Sequence, residues 1–475
     1  MRKKKKWEVV KDLEVTDINV KGMGVAKTAE GRVYFVKNTV PGDVVDAIPY
    51  KKRSGYFEAN VSRWISESEV RVAPPCTHFG VCGGCKWQHL DYDAQLHFKQ
   101  HEIDRNLLRI GGVEAVQKES IVKAESPYFY RNKMEFSFSN RRWLRAEEIE
   151  SDEVFERNGL GFHIPGMWDK VVDIHDCHLQ ANPSNAIRNA IRDFAIENKL
   201  PFFDSKAQQG FLRSLMIRNT KAGAFMVLIQ FFYEDKPLQE TLLNFVKDQF
   251  PEIQSLLYCV NSKPNDTLYD QEIKLFSGQD FLMETLRNLT FKITAKSFYQ
   301  TNSYQVEKLY EVVEEFAGLK GDEIVYDLYS GIGTITLFLA HQCVRIVGVE
   351  SVPEAVTAAK ENAVTNKIEN ASFVVGDMKT IFNDAFTRQW GQPDVVVTDP
   401  PRNGMHLDVV KQLLRLAPKK IVYVSCNSAT QARDLGFLKT QYRLTKSRAV
   451  DMFPQTHHVE NVVLLERIQN DDTID

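Results

Sequence analysis

Cys76, Cys82 and Cys85 fall within ten residues of CTHFGVCGGCKWQH, in a chain that has only seven cysteines. Three thiols packed into one loop suggest either a metal site or reactive chemistry. A second set of reactive types is spread along the C-terminal third. DLYSGIGT at 327–334 offers Tyr329, Gly331, Gly333 and Thr334, and the acids Glu350, Asp377 and Asp399 follow it. Asp399 opens DPPR, where two prolines fix the backbone. Cys426 lies in VSCNSAT, between Ser425 and Asn427 and just ahead of an expected helix start. A thiol in such a position is expected to be exposed and to have a lowered pKa.

These residues need a scaffold that gathers them. From about 320 short apolar runs alternate with segments of helical length: 323–329, 344–350, 371–377, 394–400 and 420–426, with a last strand at 459–467. That rhythm predicts a mostly parallel sheet with helices on both faces. Ligands of such sheets sit beyond the carboxyl ends of the strands. Glu350 at the second strand end is placed to accept hydrogen bonds from ribose hydroxyls, and Asp377 at the third to meet an adenine edge. The third glycine of a dinucleotide fingerprint would fall at 336, which is Thr336. That disfavours NAD. A nucleoside-sized cofactor without a pyrophosphate clamp suggests S-adenosylmethionine.

The rest of the chain reads as two further units. Residues 1–66 form short β segments broken by Gly, Pro and Asp, fitting a small five-stranded barrel of the oligonucleotide-binding kind or an SH3-like barrel. Residues 67–295 mix helices and strands, with 90–125 reading as helical and 133–139 and 224–233 as strands. Residues 296–475 hold the parallel sheet. The net charge of −3 does not by itself favour a polyanion, although RKKKK at 2–6 and KKR at 51–53 are basic. No apolar run reaches the length of a membrane span. The basic start lacks the apolar run of a secretory leader. A cytoplasmic protein is expected, in which disulfides are rare.

Taken together, C-x5-C-x2-C at 76–85, YRNKMEFS, HDCHL, SFYQTN, DLYSGIG, TDPPR, VSCNSAT and HHVENVVLLE resemble the bacterial RNA 5-methyluridine methyltransferases, above all the 23S ribosomal RNA branch. The resemblance implies a Rossmann-like class I methyltransferase domain, an N-terminal barrel of the TRAM type and a central α+β domain with a 4Fe-4S cluster. It implies that Cys76, Cys82, Cys85 and Cys177 hold that cluster, although four thiolates suit zinc about as well. It implies S-adenosylmethionine contacts from Gln300, Tyr329, Thr334, Glu350 and Asp399, beside Gly331, where the glycine turn lets backbone approach a ligand. Cys426 becomes the nucleophile and Glu460 the general base. RNA, 23S ribosomal RNA first and tRNA second, is the expected partner of a monomer. Two other readings are an adenine amino-methyltransferase, for which Cys426 would be idle, and a non-catalytic iron–sulfur RNA-binding protein.

Overall fold

The computed structural model describes residues 7–19 and 21–469, so the basic run at 2–6 lies outside the described residues. Continuous apolar runs dictate the C-terminal sheet. Ile324–Leu328, Arg345–Glu350, Val395–Thr398 and Lys420–Ser425 are almost wholly buried, as parallel strands covered on both faces must be. With Ala371–Val375 they pair in parallel. Glu460–Arg467 then inserts antiparallel beside Lys420–Ser425, and Tyr442–Val450 lies antiparallel outside it. The strand order reverses at Ile324–Leu328, which has Arg345–Glu350 on one side and Val395–Thr398 on the other. A cleft for ligands opens at such a point. One apolar layer on the sheet holds Phe316, Phe338 and Val356, and another holds Phe386, Val410 and Leu435.

The expected long helix over 90–125 is shorter. It runs Tyr92–Asn106, widens into a π turn over Leu107–Gly111 and stops at Gly112, whose φ is 58°. A left-handed glycine closes a helix because it carries no Cβ penalty. The chain then forms the strand Gln117–Val122, which pairs parallel with Tyr442–Val450 as the eighth strand of the catalytic sheet. A segment ahead of the central sheet therefore completes the C-terminal one.

The central region is a seven-stranded sheet, ordered Lys274–Gly278, Ile253–Val260, Phe225–Phe231, Leu212–Asn219, Lys133–Ser139, Gly159–Ile164 and Met167–Asp173. Helices Ser184–Glu197 and Lys236–Gln249 pack on it through Ile187, Ile191, Leu242 and Val246. At the N-terminus Val10–Ile18, Gly24–Lys27, Val33–Val36, Tyr56–Ser66 and Val44–Lys52 close into a five-stranded barrel around Leu13, Val15, Val36 and Val45. Among the described residues no helix is long and apolar enough to cross a membrane.

Candidate active site

The turn after Ile324–Leu328 is shaped by left-handed backbone at Tyr329 (φ 64°), Gly331 (φ 54°) and Gly333 (φ 84°). The two glycines serve different ends. A Cβ on Gly333 would stand 2.8 Å from Phe373, so this glycine permits close packing, whereas a Cβ on Gly331 would meet nothing within 4 Å and faces open space. The Gly331 amide donates to Glu350 Oε2 (3.1 Å), and the Ser351 and Val352 amides donate to Oε1 (2.7 and 3.0 Å). Glu350 is thereby fixed at the rim with acceptor capacity left on Oε2. Tyr329 is half-buried, and burial pushes its hydroxyl up to about 12. Asp377 is exposed past the end of Ala371–Val375 and accepts the Lys379 amide at 3.0 Å, a turn-capping contact. The Thr334 hydroxyl is engaged by the Tyr310 hydroxyl at 2.8 Å.

Next to this turn stands the reactive cluster. Gln300 Nε2 donates to Asp399 Oδ2 at 3.3 Å. Burial raises the Asp399 carboxyl to about 7, against the opposing pull of that amide. The antiparallel register between Lys420–Ser425 and Glu460–Arg467 ends at Ser425 opposite Asn461. The next step of that register sets Cys426 across from Glu460, and facing residues of adjacent strands have neighbouring Cβ atoms. Glu460 is buried, and its Oε2 has no hydrogen-bond partner among the described residues. Burial and the nearby Asp399 charge hold its carboxyl well above the usual range, with the Arg402 guanidinium opposing them.

The expectation of a lowered thiol pKa at Cys426 is overturned. Burial pushes the thiol up to about 12, the Glu460 charge adds to the rise, and Arg402 counters it. The helix behind it gives no help, because the Asn427 side chain already accepts from the Ala429 and Thr430 amides. The DPPR loop is fastened to the cysteine loop through the Arg402 carbonyl, which accepts from Asn427 Nδ2 (3.0 Å) and the Thr430 hydroxyl (3.1 Å).

Cys76, Cys82, Cys85 and Cys177 line one cavity of about 560 Å³, which runs on to Arg402 and His458. Cys177 follows the strand Met167–Asp173, and its amide is held by Asn185 Oδ1 at 2.9 Å. Burial raises all four thiols, to about 11 at Cys82 and about 12 at Cys85. Among the described residues no three His, Cys, Asp or Glu side chains converge as a preformed cage for a single metal ion.

Several site residues escaped the sequence reading. Arg402 was in plain view as the last letter of TDPPR and is a cation acting on both Cys426 and Glu460. Asp327, buried within DLYSGIG, is raised to about 7 by its burial. Asn132 of YRNK donates to the Gln300 carbonyl (2.8 Å) and the Ser303 hydroxyl (2.7 Å), so it shapes the SFYQTN loop. Only the fold brings these together.

A central parallel strand flanked on both sides, a glycine turn and an acid at the next strand end make a nucleoside-binding rim, and the comparisons with known proteins make it that of a methyltransferase. Residues 269–468 match the family model described as tRNA (Uracil-5-)-methyltransferase. A protein of Porphyromonas gingivalis described as an uncharacterized RNA methyltransferase is 50% identical, covering 96% of this chain and 99% of its own. One of Bacteroides thetaiotaomicron with the same description is 49% identical, over 94% and 99%. The crystal structure of the Pyrococcus abyssi tRNA (uracil-54, C5)-methyltransferase in complex with S-adenosyl-L-homocysteine is 30% identical and superposes with a TM-score of 0.73, covering 95% of this chain and 99% of that one. The chain belongs to the S-adenosylmethionine-dependent RNA uracil-5-methyltransferase family.

Proposed function

We propose that the protein methylates C5 of uridine in 23S ribosomal RNA, as a cytoplasmic monomer, through a transient covalent bond from Cys426. The observation that carries this reading is the placement of Cys426 one step past the Ser425–Asn461 pair, within reach of the buried Glu460 charge and beside the Gln300–Asp399 contact. An amino-methyltransferase needs no thiol there. Uracil C5 is a weak nucleophile, and addition of the Cys426 thiolate, its proton lost to solvent, to C6 makes it an enolate carbon that can attack the methyl group. S-adenosylhomocysteine then leaves. Glu460 takes the proton from C5, and the electron pair of that C–H bond restores the double bond as the C6–S bond breaks. Asp399 and Gln300 orient the base and cofactor, and Tyr329, Gly331, Thr334, Glu350 and Asp377 line the nucleoside end. The target base must leave its stack to reach so recessed a thiol.

The barrel and the cysteine loop favour ribosomal RNA, by the resemblance noted above. The likeness to the archaeal tRNA enzyme supports tRNA as the second reading. Mass mapping of 5-methyluridine in RNA from a deletion strain separates them. The expected result is loss from one or more sites in 23S RNA only. Loss confined to tRNA would move the substrate, and no loss in either would sink the reading.

The assignment of a 4Fe-4S cluster to the four cysteines rests on the resemblance and on their sharing one cavity, and four thiolates suit zinc about as well. When bound, the cluster would supply a cross-link between the loop holding Cys76, Cys82 and Cys85 and the segment holding Cys177. Anaerobically purified protein is expected to be brown and to contain iron and sulfide. Stoichiometric zinc in a colourless protein would end the claim. Cys177→Ala is expected to lower the melting temperature or RNA affinity more than cofactor affinity.

A further inference from the structure

Behind the base, one buried side-chain amide joins its own helix and the loop just before it to a segment 360 positions away. Gln95 in the helix Tyr92–Asn106 is fully buried. Its Nε2 shares its protons among the carbonyls of Trp87 (3.1 Å) and Leu90 (2.8 Å) and Gln455 Oε1 (3.0 Å), and its Oε1 accepts the Gln455 amide (3.0 Å). Gln455 belongs to the segment 451–459, which links Tyr442–Val450 to Glu460–Arg467 and ends on Glu460. Its φ of 67° is one that side-chain-bearing residues adopt rarely and only when held.

Residues 451–455 of the segment are pinned from outside. Four successive carbonyls accept hydrogen bonds from other parts of the chain. Met452 accepts from Asn302 Nδ2 (3.1 Å), Phe453 from Lys99 Nζ (3.1 Å) and Pro454 from the Tyr130 hydroxyl (2.9 Å). Gln455 accepts from the amides of Lys86 (2.9 Å) and Trp87 (3.1 Å). At its start the Asp451 carboxylate takes Lys99 Nζ at 2.6 Å, with both side chains fully buried, and the Tyr92 hydroxyl at 3.0 Å. Lys86 directly follows Cys85, so the cysteine loop is one of the partners.

We infer that Gln95 is a positioning residue for the second half of the reaction, holding the segment 451–459 so that the Glu460 carboxylate meets the C5 proton. Proton removal from carbon needs the base within hydrogen-bond reach of that proton, and small misplacements cost large factors in rate. Methyl transfer needs Cys426, which follows Lys420–Ser425, and the cofactor at the glycine turn, and neither lies in the segment 451–459. Slack in 451–459 therefore slows the breakdown of the methylated adduct more than its formation. The inference rests on the reading of Glu460 as the base.

Two variants test it. Gln95→Leu keeps the volume and removes all four bonds. Gln455→Gly keeps the left-handed backbone, which glycine adopts freely, and removes the side-chain oxygen. Each is incubated with methyl-labelled S-adenosylmethionine and a transcript of 23S RNA, with tRNA transcripts in parallel. A denaturing gel then follows the labelled protein–RNA species. The expected result is a tenfold or greater fall in kcat, unchanged S-adenosylhomocysteine affinity, and accumulated methylated adduct that wild type does not show. A purely structural role would lose activity without accumulating adduct, and that outcome, normal turnover, or failure of both variants to fold overturns the inference. Wild-type protein on 5-fluorouridine RNA and Glu460→Gln on ordinary RNA are the controls. If neither traps an adduct, the covalent reading itself fails, and the positioning role falls with it.

Discussion

Glu460→Gln is expected to stop as a covalent adduct between Cys426 and methylated RNA, whereas Cys426→Ala forms no adduct and makes no product. The two residues lie one step past the Ser425–Asn461 pair, and the proposed mechanism uses them at different steps. With glutamine at 460, sulfur addition and methyl transfer remain possible, and only loss of the C5 proton is blocked. Removing a general base costs on the order of a hundredfold or more in rate. Label from the cofactor methyl should therefore run at protein–RNA size for Glu460→Gln and nowhere for Cys426→Ala. The raised thiol adds a pH signature. With the free Cys426 thiol pushed up to about 12, the thiolate fraction rises about tenfold for each pH unit below that value. Adduct formation by free enzyme is expected to quicken from neutral toward alkaline pH. Normal turnover by Glu460→Gln would move the base elsewhere, and methylation of uridine C5 by Cys426→Ala would end the covalent mechanism.

How far the sequence revealed all this followed from what each element needs. Parallel strands such as Ile324–Leu328 and Lys420–Ser425 are buried on both faces, so they stand out as apolar runs, and residues at their ends are placed by the sheet itself. Hence the places of Glu350, Asp399 and Cys426 at strand ends were legible. The edge strand Gln117–Val122 (QKESIV) is largely polar, and only its pairing with Tyr442–Val450 makes it a strand. It follows a genuine helix and reads as more of the same. The Cys426 environment misled for a related reason. The sequence shows a helix start beside the thiol, but not the Asn427 cap on that helix or the buried carboxyl opposite. The bond from Gln95 to Gln455 spans 360 positions, and no local pattern marks either residue.

Glu350 provides the sharpest test of the cofactor end. Its Oε1 is committed to the Ser351 and Val352 amides, while among the described residues Oε2 meets only the Gly331 amide, beside the turn whose glycine faces open space. A ribose diol fits a carboxylate held this way, because both hydroxyls can donate to it. Glu350→Ala removes the acceptors and also frees the Gly331 turn. The loss expected is about 1.5–3 kcal/mol, or roughly ten- to a hundredfold in affinity. Glu350→Gln keeps one acceptor oxygen and should fall between alanine and wild type. Calorimetry with S-adenosylhomocysteine reads both, and the melting temperature of each variant without ligand shows whether the sheet is intact. Wild-type affinity in a folded Glu350→Ala protein would mean that the ribose is held by other groups, and the nucleoside end of the site would have to be redrawn away from the second strand.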